Sequence, residues 1–396
     1  MNTTLNMDTE LLYCGNHVSG TTDCPDTPPV YYATAYAVKD TVDYDFANRG
    51  GKYFYSRTAN PNRDCLGELI SCLEHGEGTL VCSSGMAAIA TTLLGLLKTG
   101  DHVLINQAVY GETIALLNDV LSRYGIEASY ADFTDLPSVE QDIRSNTKLL
   151  YTEVIANPLT VIADIEAIAA IAKRHGLLTV VDSTFTTPCV FRPLDVGADV
   201  VIHSLTKYFG GHSDLTGGSI TASKELVSRL TTAYLLLGCC LDPNSAWLFG
   251  RSARTLAMRV RKQNENAAAV AKALAEDPRV IQVYHPSLPD HPQHGLAQRM
   301  FAKGLYGAMI SFRVADDVRR VDGFMHRLSI IQYLGTLGGI RTSVTHPATA
   351  FQNEFSKEKL REMGLTEGLI RISTGAEDPD DIIGDLSQAL DVFSNS

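Results

Sequence analysis

The stretch that decides the fold is Asp199-Val-Val-Ile-His-Ser-Leu-Thr-Lys-Tyr-Phe-Gly-Gly-His212. It begins with the β-branched run Val200–Ile202, which predicts a short buried strand. Small and polar residues follow and the stretch reaches paired glycines, so the strand must end before them. Lys207 comes just after this strand, although lysine is seldom buried without a partner or a chemical role. Taken alone, the pattern also fits a solvated lysine at an exposed strand end.

A second apolar run, Leu177–Phe185, predicts another buried strand, and it contains a carboxylate, Asp182. A strand that ends in aspartate, followed 25 residues later by Lys207, fits a pyridoxal phosphate site. The lysine would bind the cofactor covalently. Asp182 would pair with the pyridine nitrogen and keep the ring an electron sink. Both side chains would lie at the carboxyl ends of strands, where open α/β sheets place their ligands.

With these motifs the chain resembles the Cys/Met-metabolism family of pyridoxal phosphate enzymes, from about residue 27 to about residue 371. The family includes cystathionine γ-synthase, cystathionine β- and γ-lyases and methionine γ-lyase. The resemblance implies an α/β fold of the aspartate aminotransferase type (fold type I), with a parallel-rich central sheet flanked by helices and a smaller α+β C-terminal domain. Strands that alternate with helices from about 79 to 220 also favour a parallel sheet with right-handed crossovers.

The length of 396 residues exceeds what one core usually supports, so we expect more than one unit. Residues 1–60 look irregular, and a long irregular segment is usually functional or docked on another subunit. We therefore expect an N-terminal segment (1–60) that docks on a neighbouring subunit, a cofactor-binding α/β domain (61–253) and a C-terminal α+β domain (254–396).

The composition excludes several classes of protein. Apolar residues make up 45% and charged residues 20%, as in ordinary globular proteins. The net charge of −12 argues against nucleic acid or an anionic membrane as a partner. The eight cysteines show neither a CxxC pair nor a zinc-type spacing, so we expect no metal and read them as reduced thiols of a cytoplasmic protein. We see no secretory signal and no membrane span.

The resemblance assigns the cofactor phosphate to two places. Tyr55 and Arg57 would bind it from a neighbouring subunit, since a guanidinium fork donates two parallel hydrogen bonds to phosphate. This implies active sites shared within a homotetramer, a dimer of dimers. Without the resemblance, the same segment reads as a surface loop.

The second place is the helix start at Ser83-Ser84-Gly85-Met86, whose backbone N–H groups would cradle the phosphate, with Gly85 and Met86 as donors. An ordinary serine N-cap would look the same. Ser204 and Thr206 complete the cofactor-binding set that the resemblance implies.

Around the substrate, the resemblance stacks Tyr110 on the cofactor ring, near the leaving group, and places Asn157 beside the phenolic oxygen. Glu153 and Asn157 match the family's Glu-x-Pro-x-Asn-Pro motif, although Ile155 replaces its first proline. Arg371 would bind the substrate α-carboxylate with its two-pronged geometry. A charge that protects a sheet edge is the alternative for this arginine.

Three residues depart from the family pattern near the expected substrate path. Glu112 replaces a glycine or cysteine, Arg341 replaces a glutamate and Thr336 replaces a serine. A carboxylate there could select a substrate with a cationic end, such as canavanine. Alternatively, Glu112 and Arg341 pair with each other.

The implied reaction is γ-elimination, in which Lys207 removes the α-proton and Tyr110 gives a proton to the leaving group. We expect a carbon–heteroatom lyase of amino-acid metabolism that acts on a γ-substituted L-amino acid, either one with a cationic leaving group or methionine, homocysteine or cystathionine. A γ-replacement transferase (cystathionine γ-synthase or O-acyl-homoserine sulfhydrylase type) and a β-lyase are alternatives. A non-catalytic binding protein is disfavoured because the chemical residues are all present: Lys207, Asp182, Tyr110, Arg57 and Arg371.

Overall fold

The computed structural model describes residues 5–18, 25–352 and 356–394. Its helices are α1 (Met7–Tyr13), α2 (Thr41–Asn48), α3 (Pro61–Glu74), α4 (Gly85–Leu96), α5 (Gly111–Ala115), α6 (Leu136–Gln141), α7 (Ile165–Arg174), α8 (Thr187–Val190), α9 (Lys224–Leu237), α10 (Pro243–Ala253), α11 (Leu256–Glu276), α12 (His294–Met300), α13 (Val318–Arg327), α14 (Pro347–Ala350), α15 (Lys357–Glu362) and α16 (Pro379–Leu390). Its strands are β1 (Gly78–Cys82), β2 (His102–Asn106), β3 (Glu127–Ala131), β4 (Thr147–Glu153), β5 (Leu178–Asp182), β6 (Val200–Ser204), β7 (Gly218–Ala222), β8 (Gln282–Tyr284), β9 (Met309–Arg313), β10 (Gln332–Tyr333), β11 (Ser343–Thr345) and β12 (Leu369–Ser373).

The larger sheet has seven strands in the order β1-β7-β6-β5-β4-β2-β3. All neighbours run parallel except β7, which is antiparallel to both β1 and β6. The central strands are covered on both faces, which explains why β5 and β6 read as continuous apolar runs. The predicted α/β fold with a parallel-rich central sheet is confirmed.

The smaller sheet has five strands in the order β10-β11-β12-β9-β8, and its pairs are antiparallel except β10–β11. Its core contains Ile370 and Ile372 of β12 together with Phe324 of α13 and Leu386 of α16. Because successive strand residues point to opposite faces, the side chain of Arg371 points to the face of the sheet opposite this core.

The N-terminal segment is less irregular than predicted. Two short helices, α1 and α2, interrupt it, and Asp40 caps α2 by accepting a hydrogen bond from the N–H of Asp43. Both helices are too short to give a clear period in the sequence. Residues 1–4 and 19–24 of this segment lie outside the described residues.

The cysteine prediction is wrong for one pair, because Cys14 and Cys72 form a disulfide with Cα atoms 6.6 Å apart. Helix α1 packs against α3 and brings the two cysteines together. They are 58 positions apart in the sequence, so no local motif predicts the disulfide. Five other cysteines are free thiols, and Cys24 lies outside the described residues. The described residues contain no cluster of potential metal ligands and no helix that could cross a membrane.

Candidate active site

The site is built where β5 and β6 end side by side. Asp182 is the last residue of β5, and its carboxylate accepts a hydrogen bond from the N–H of Thr184 (2.9 Å). The hydroxyl of Thr184 in turn accepts from the N–H of Ser204 at the end of β6 (2.8 Å). These bonds fix the two strand ends to each other, so the loop that carries Lys207 has a rigid starting point.

Lys207 lies in a turn directly after β6, with its N–H donated to the carbonyl of Ser204 (3.1 Å). Its side chain is half-buried, and Nζ donates to the hydroxyl of Thr336 (3.3 Å). Burial lowers the pKa of Lys207, and the positive charge of Arg371 lowers it further. A solvated lysine at a strand end is therefore excluded, and the amine is shifted toward the neutral form that chemistry requires.

Arg371 is 7% exposed and projects from the middle of the smaller sheet. One guanidinium nitrogen donates to Asn157 Oδ1 (2.9 Å), and the other donates to Thr345 Oγ1 (3.1 Å) and the carbonyl of Thr336 (3.3 Å). Burial lowers its pKa to about 10, so it stays charged at neutral pH. The sheet-edge alternative is wrong because β12 lies between β11 and β9.

One atom of this arginine lacks a protein partner. Arg371 Nε is buried and has no hydrogen bond within the described part of the chain. Buried donors are nearly always satisfied, and a charged one without a partner is costly. The arrangement therefore fits an incoming carboxylate that accepts from this edge of the guanidinium.

Two buried carboxyl groups meet at the ends of neighbouring strands, since Glu153 of β4 pairs in register with Asp182 of β5. Burial raises the pKa of each, and the Asp182 charge raises that of Glu153 further. Glu153 Oε1 also accepts the backbone N–H of Tyr110 (2.6 Å). The sequence motif pointed to Glu153 but gave it no role, whereas the structure makes it the residue that fixes Tyr110.

A second buried pair, a histidine and a glutamate, was not predicted from the sequence. His203 Nε2 and Glu74 Oε1 lie 2.6 Å apart, and both side chains are fully buried. His203 belongs to β6, next to Ser204. Burial raises the pKa of Asp182, whereas the hydrogen bonds with Thr184 and, after them, the nearby His203 act to lower it. The two residues lie 129 positions apart in sequence, so only the fold reveals the contact.

The start of α4, where a phosphate cradle is predicted, has a serine N-cap. Ser84 caps the helix by accepting from the N–H of Ala87 (3.0 Å). A Cβ atom on Gly85 would lie 2.9 Å from Ser204 Cβ, so the helix start packs directly on the end of β6. The first N–H groups of a helix have no intrahelical acceptor and carry partial positive charge. This helix start beside Ser204 is therefore suited to an anion, and the phosphate-binding role of Gly85 and Met86 stays a prediction.

Tyr110 is 44% exposed at the start of α5, and Glu112 is exposed two residues later. Arg341 is also exposed, on a loop whose Ile340 N–H donates to the carbonyl of Gly211 (2.8 Å). Among the described residues, Glu112 and Arg341 form no ion pair with each other. The pairing alternative therefore finds no support within this chain.

Tyr55 and Arg57 lie on the surface of the same chain. The Arg57 guanidinium lies 5.6 Å from the centre of the Tyr55 ring and donates to the carbonyl of Leu235 (3.1 Å). The structure shows no hydrogen bond between either side chain and Lys207 or Asp182 in the part of the chain that it describes. Their predicted role requires a second subunit.

The residues of this site fit pyridoxal phosphate in chemistry and position. The helix start offers phosphate donors, the strand end offers a carboxylate for the ring nitrogen, and Lys207 offers an amine. The unpaired Arg371 Nε adds a place for the carboxylate of an amino acid.

Comparisons with known proteins identify the family of the chain. The family model described as Cys/Met metabolism PLP-dependent enzyme matches residues 8–391. A cystathionine gamma-lyase of Bacillus subtilis (strain 168) is 41% identical over 92% of this chain and 93% of its own length. A canavanine gamma-lyase of Pseudomonas canavaninivorans is 37% identical over 98% of this chain and 96% of its own. The crystal structure of cystathionine gamma-lyase from Lactobacillus plantarum complexed with L-serine superposes with a TM-score of 0.91, at 33% identity, over 98% of this chain and 99% of that one.

Proposed function

Because the chain belongs to the Cys/Met metabolism family of pyridoxal phosphate enzymes, we propose that it is a γ-lyase that removes a heteroatom group from a γ-substituted L-amino acid. The observation that carries the proposal is the buried Arg371 guanidinium, with one unpaired N–H, beside Lys207. Together these residues would hold an amino acid by its carboxylate and bring its Cα to a basic amine. Relatives named as γ-lyases support elimination at Cγ.

When bound, pyridoxal phosphate supplies an electron sink that stabilises negative charge on the amino acid. Gly85 and Met86, with Ser204 and Thr206, would hold its phosphate. Asp182 would hold the proton of the ring nitrogen. The hydrogen bonds with Thr184, and after them His203, favour its charged form against the effect of burial.

In this proposal, Lys207 removes the proton from Cα and Tyr110 protonates the leaving group. Its lowered pKa increases the fraction of neutral amine, which takes the proton from Cα. The hydroxyl of Thr336 is within hydrogen-bond distance of Nζ and orients it. Tyr110, whose backbone Glu153 fixes, gives a proton to the leaving group.

Glu112 directs the choice of substrate. It is exposed, follows Tyr110 by two residues and has no ion-pair partner among the residues described. A carboxylate at this position favours a cationic leaving group, so canavanine is our first candidate substrate. The relative named canavanine gamma-lyase supports this choice, and methionine, homocysteine and cystathionine are the neutral or zwitterionic competitors.

The experiment compares canavanine with methionine and cystathionine as substrates of wild type, Glu112→Gln and Glu166→Gln. Glu166 is an exposed carboxylate on α7 and serves as the matched control. We expect Glu112→Gln to lower kcat/KM for canavanine about 10- to 100-fold, the effect of one charge-assisted hydrogen bond, and to change methionine turnover little. Lys207→Ala should abolish activity on every substrate.

Two outcomes would contradict the proposal. An equal loss on cationic and neutral substrates would make Glu112 a structural residue. Products that incorporate an added thiol at Cγ would identify a γ-replacement transferase, and cleavage at Cβ would identify a β-lyase.

The proposal includes assembly as a homotetramer. The N-terminal segment exposes large apolar side chains, among them Tyr32 (69%), Val42 (77%) and Phe46 (57%), and Leu236 at the end of α9 is 80% exposed. Exposed apolar side chains of this size favour burial against another copy of the chain. Arg57 lies beside that helix end, through its bond to Leu235, where a partner could receive it.

A further inference from the structure

Two cysteines face each other directly beside the phosphate cradle. Cys82 is the last residue of β1; it pairs with Gly218 of β7 on one side and forms an isolated antiparallel bridge with Cys240 on the other. The hydrogen bonds Ser83 N–H to Cys239 carbonyl (2.7 Å) and Leu241 N–H to Val81 carbonyl (3.3 Å) flank this bridge. Cys82 and Cys240 are therefore a non-hydrogen-bonded pair.

Such a pair has the geometry that a disulfide needs. In antiparallel pairs of this kind the Cα atoms lie about 4.5 Å apart and the side chains leave the same face of the sheet. Disulfides span Cα distances of about 4.4 to 6.8 Å. Cys82 and Cys240 thus lie within the range that a disulfide can bridge, at its short end.

The two thiols differ in burial and therefore in how easily a reagent reaches them. Cys82 is fully buried against residues of α4 such as Ile89 and Leu93. Burial raises the pKa of its thiol well above the usual value, and Cys239 and Cys240 raise it further. Cys240 is only half-buried, so an external reagent reaches it first.

We propose that Cys82 and Cys240 form a thiol redox site, which an external low-molecular-weight disulfide converts into a cross-strand disulfide. The Cys240 thiolate attacks the external disulfide, whose S–S bond breaks and releases one thiol. Cys82 loses its proton and attacks the Cys240 sulfur of the mixed disulfide, which releases the second thiol. Two protein thiols are oxidised, and one external disulfide is reduced to two thiols.

The site acts on cofactor binding through Ser83. A disulfide moves the pair from about 4.5 Å toward the usual 5.5–6 Å between Cα atoms. This shift weakens the bond between the Ser83 N–H and the Cys239 carbonyl and displaces the neighbouring Ser84 and Gly85. Since a hydrogen bond contributes modestly, we expect cofactor release to become a few-fold to about tenfold faster. This consequence, unlike disulfide formation itself, rests on the proposed cradle.

The test treats the holoenzyme with oxidised glutathione, alkylates free thiols and maps peptides without reduction. Wild type, Cys240→Ser and the matched control Cys239→Ser are compared. We expect wild type and Cys239→Ser to link the peptide containing Cys82 to the peptide containing position 240, and Cys240→Ser to leave Cys82 free. A free Cys82 in treated wild type, or a link that Cys239→Ser abolishes, would overturn the proposal.

A second readout follows cofactor release by visible absorbance after the same treatment. Release should accelerate in wild type and Cys239→Ser, return to its original rate after reduction with dithiothreitol, and stay constant in Cys240→Ser. If the link forms and release is unchanged, the coupling to the cradle is wrong, whereas a missing link refutes the redox site whatever the cradle does.

Discussion

At the scale of single residues, the geometry of Arg371 leads to a sharp prediction. Arg371→Lys keeps a positive charge but loses the planar fork that binds a carboxylate at two points. Loss of one charge-assisted hydrogen bond costs about 1.5–3 kcal/mol, so kcat/KM should fall about 10- to 100-fold while the protein retains its cofactor. Steady-state kinetics and cofactor absorbance measure the two effects.

The control for this variant is Arg319→Lys, an exposed arginine on α13. A substrate whose α-carboxylate is converted to an amide gives a second check. Wild type should discriminate against the amide, and Arg371→Lys should discriminate much less. Equal discrimination by both proteins would reduce Arg371 to a structural residue of the sheet.

The buried carboxyl of Glu153 predicts a pH dependence. Its pKa is raised above the ordinary value of 4.5, so folding takes up a proton wherever the pH lies between the unfolded-state and folded-state pKa values. Its contribution to stability is therefore complete below pH 4.5 and is lost as the pH rises toward the folded-state pKa, by up to about 1.4 kcal/mol per pH unit.

Glu153→Gln keeps a carbonyl oxygen for the Tyr110 N–H but needs no proton. In cofactor-free protein, the Tm of Glu153→Gln minus the Tm of wild type should therefore increase as the pH rises from about 5 to about 8. Thermal unfolding across this range measures the difference. A Tm difference between the two proteins that does not change with pH would mean that Glu153 is ionised in the folded state.

At the scale of elements, the proposed phosphate cradle depends on a glycine at the start of α4. Gly85→Ala places a Cβ 2.9 Å from Ser204 Cβ, so the helix start must move away from β6. Overpacking of this kind costs about 1–3 kcal/mol, and we expect the Kd for pyridoxal phosphate to rise about 5- to 100-fold. Equilibrium titration of the apoprotein measures it.

The matched control is Gly250→Ala in the middle of α10, where an added Cβ meets nothing within 4 Å. Alanine in a helix interior is favoured over glycine by about 0.5–1 kcal/mol, so this variant should keep the wild-type Kd and gain stability. Wild-type affinity in Gly85→Ala as well would place the phosphate elsewhere.

Elements with a strong local pattern were predictable, and those that depend on distant partners were not. The apolar runs of β5 and β6 identified these two strands in the sequence. Strand β7 has the weak pattern Gly-Ser-Ile-Thr-Ala, and its reversed direction follows from pairing with both β1 and β6. Neither local propensity nor period contains that information.

The same limit applies to the candidate site. Lys207 and Asp182 stand at strand ends, so their types and positions pointed to the cofactor. The bond from Arg371 to Asn157 joins residues 214 positions apart, and the unpaired Arg371 Nε is visible only once its other partners are placed. The resemblance to a family named these residues, but only the fold supplies their contacts.

At the scale of the whole molecule, the exposed Arg57 predicts complementation between inactive proteins. If Arg57 serves the neighbouring subunit's site, Arg57→Ala and Lys207→Ala each lack a different part of a shared site. A hybrid dimer then contains one site with both residues intact, so mixing the two inactive proteins under subunit exchange should restore part of the activity.

Activity assays after mixing measure this recovery, and native mass spectrometry verifies the exchange. Mixing Lys207→Ala with Asp182→Ala serves as the control, because both changes fall in the same chain's part of the site. No recovery in exchanged Arg57→Ala and Lys207→Ala hybrids would show that the sites are not shared through Arg57.

The antiparallel strand β7 also limits how early during its synthesis the chain can bind its cofactor. Strand β1, which leads into the proposed phosphate cradle, enters the sheet only by pairing with β7, and the partners Cys82 and Gly218 are 136 positions apart. Closing a loop of that length costs about 4 kcal/mol of chain entropy, which only the completed sheet repays. A ribosome that stalled before Gly218 would therefore display Ser84 and Lys207 on a chain unable to hold the cofactor. Cofactor capture must wait until more than half of the chain has been translated.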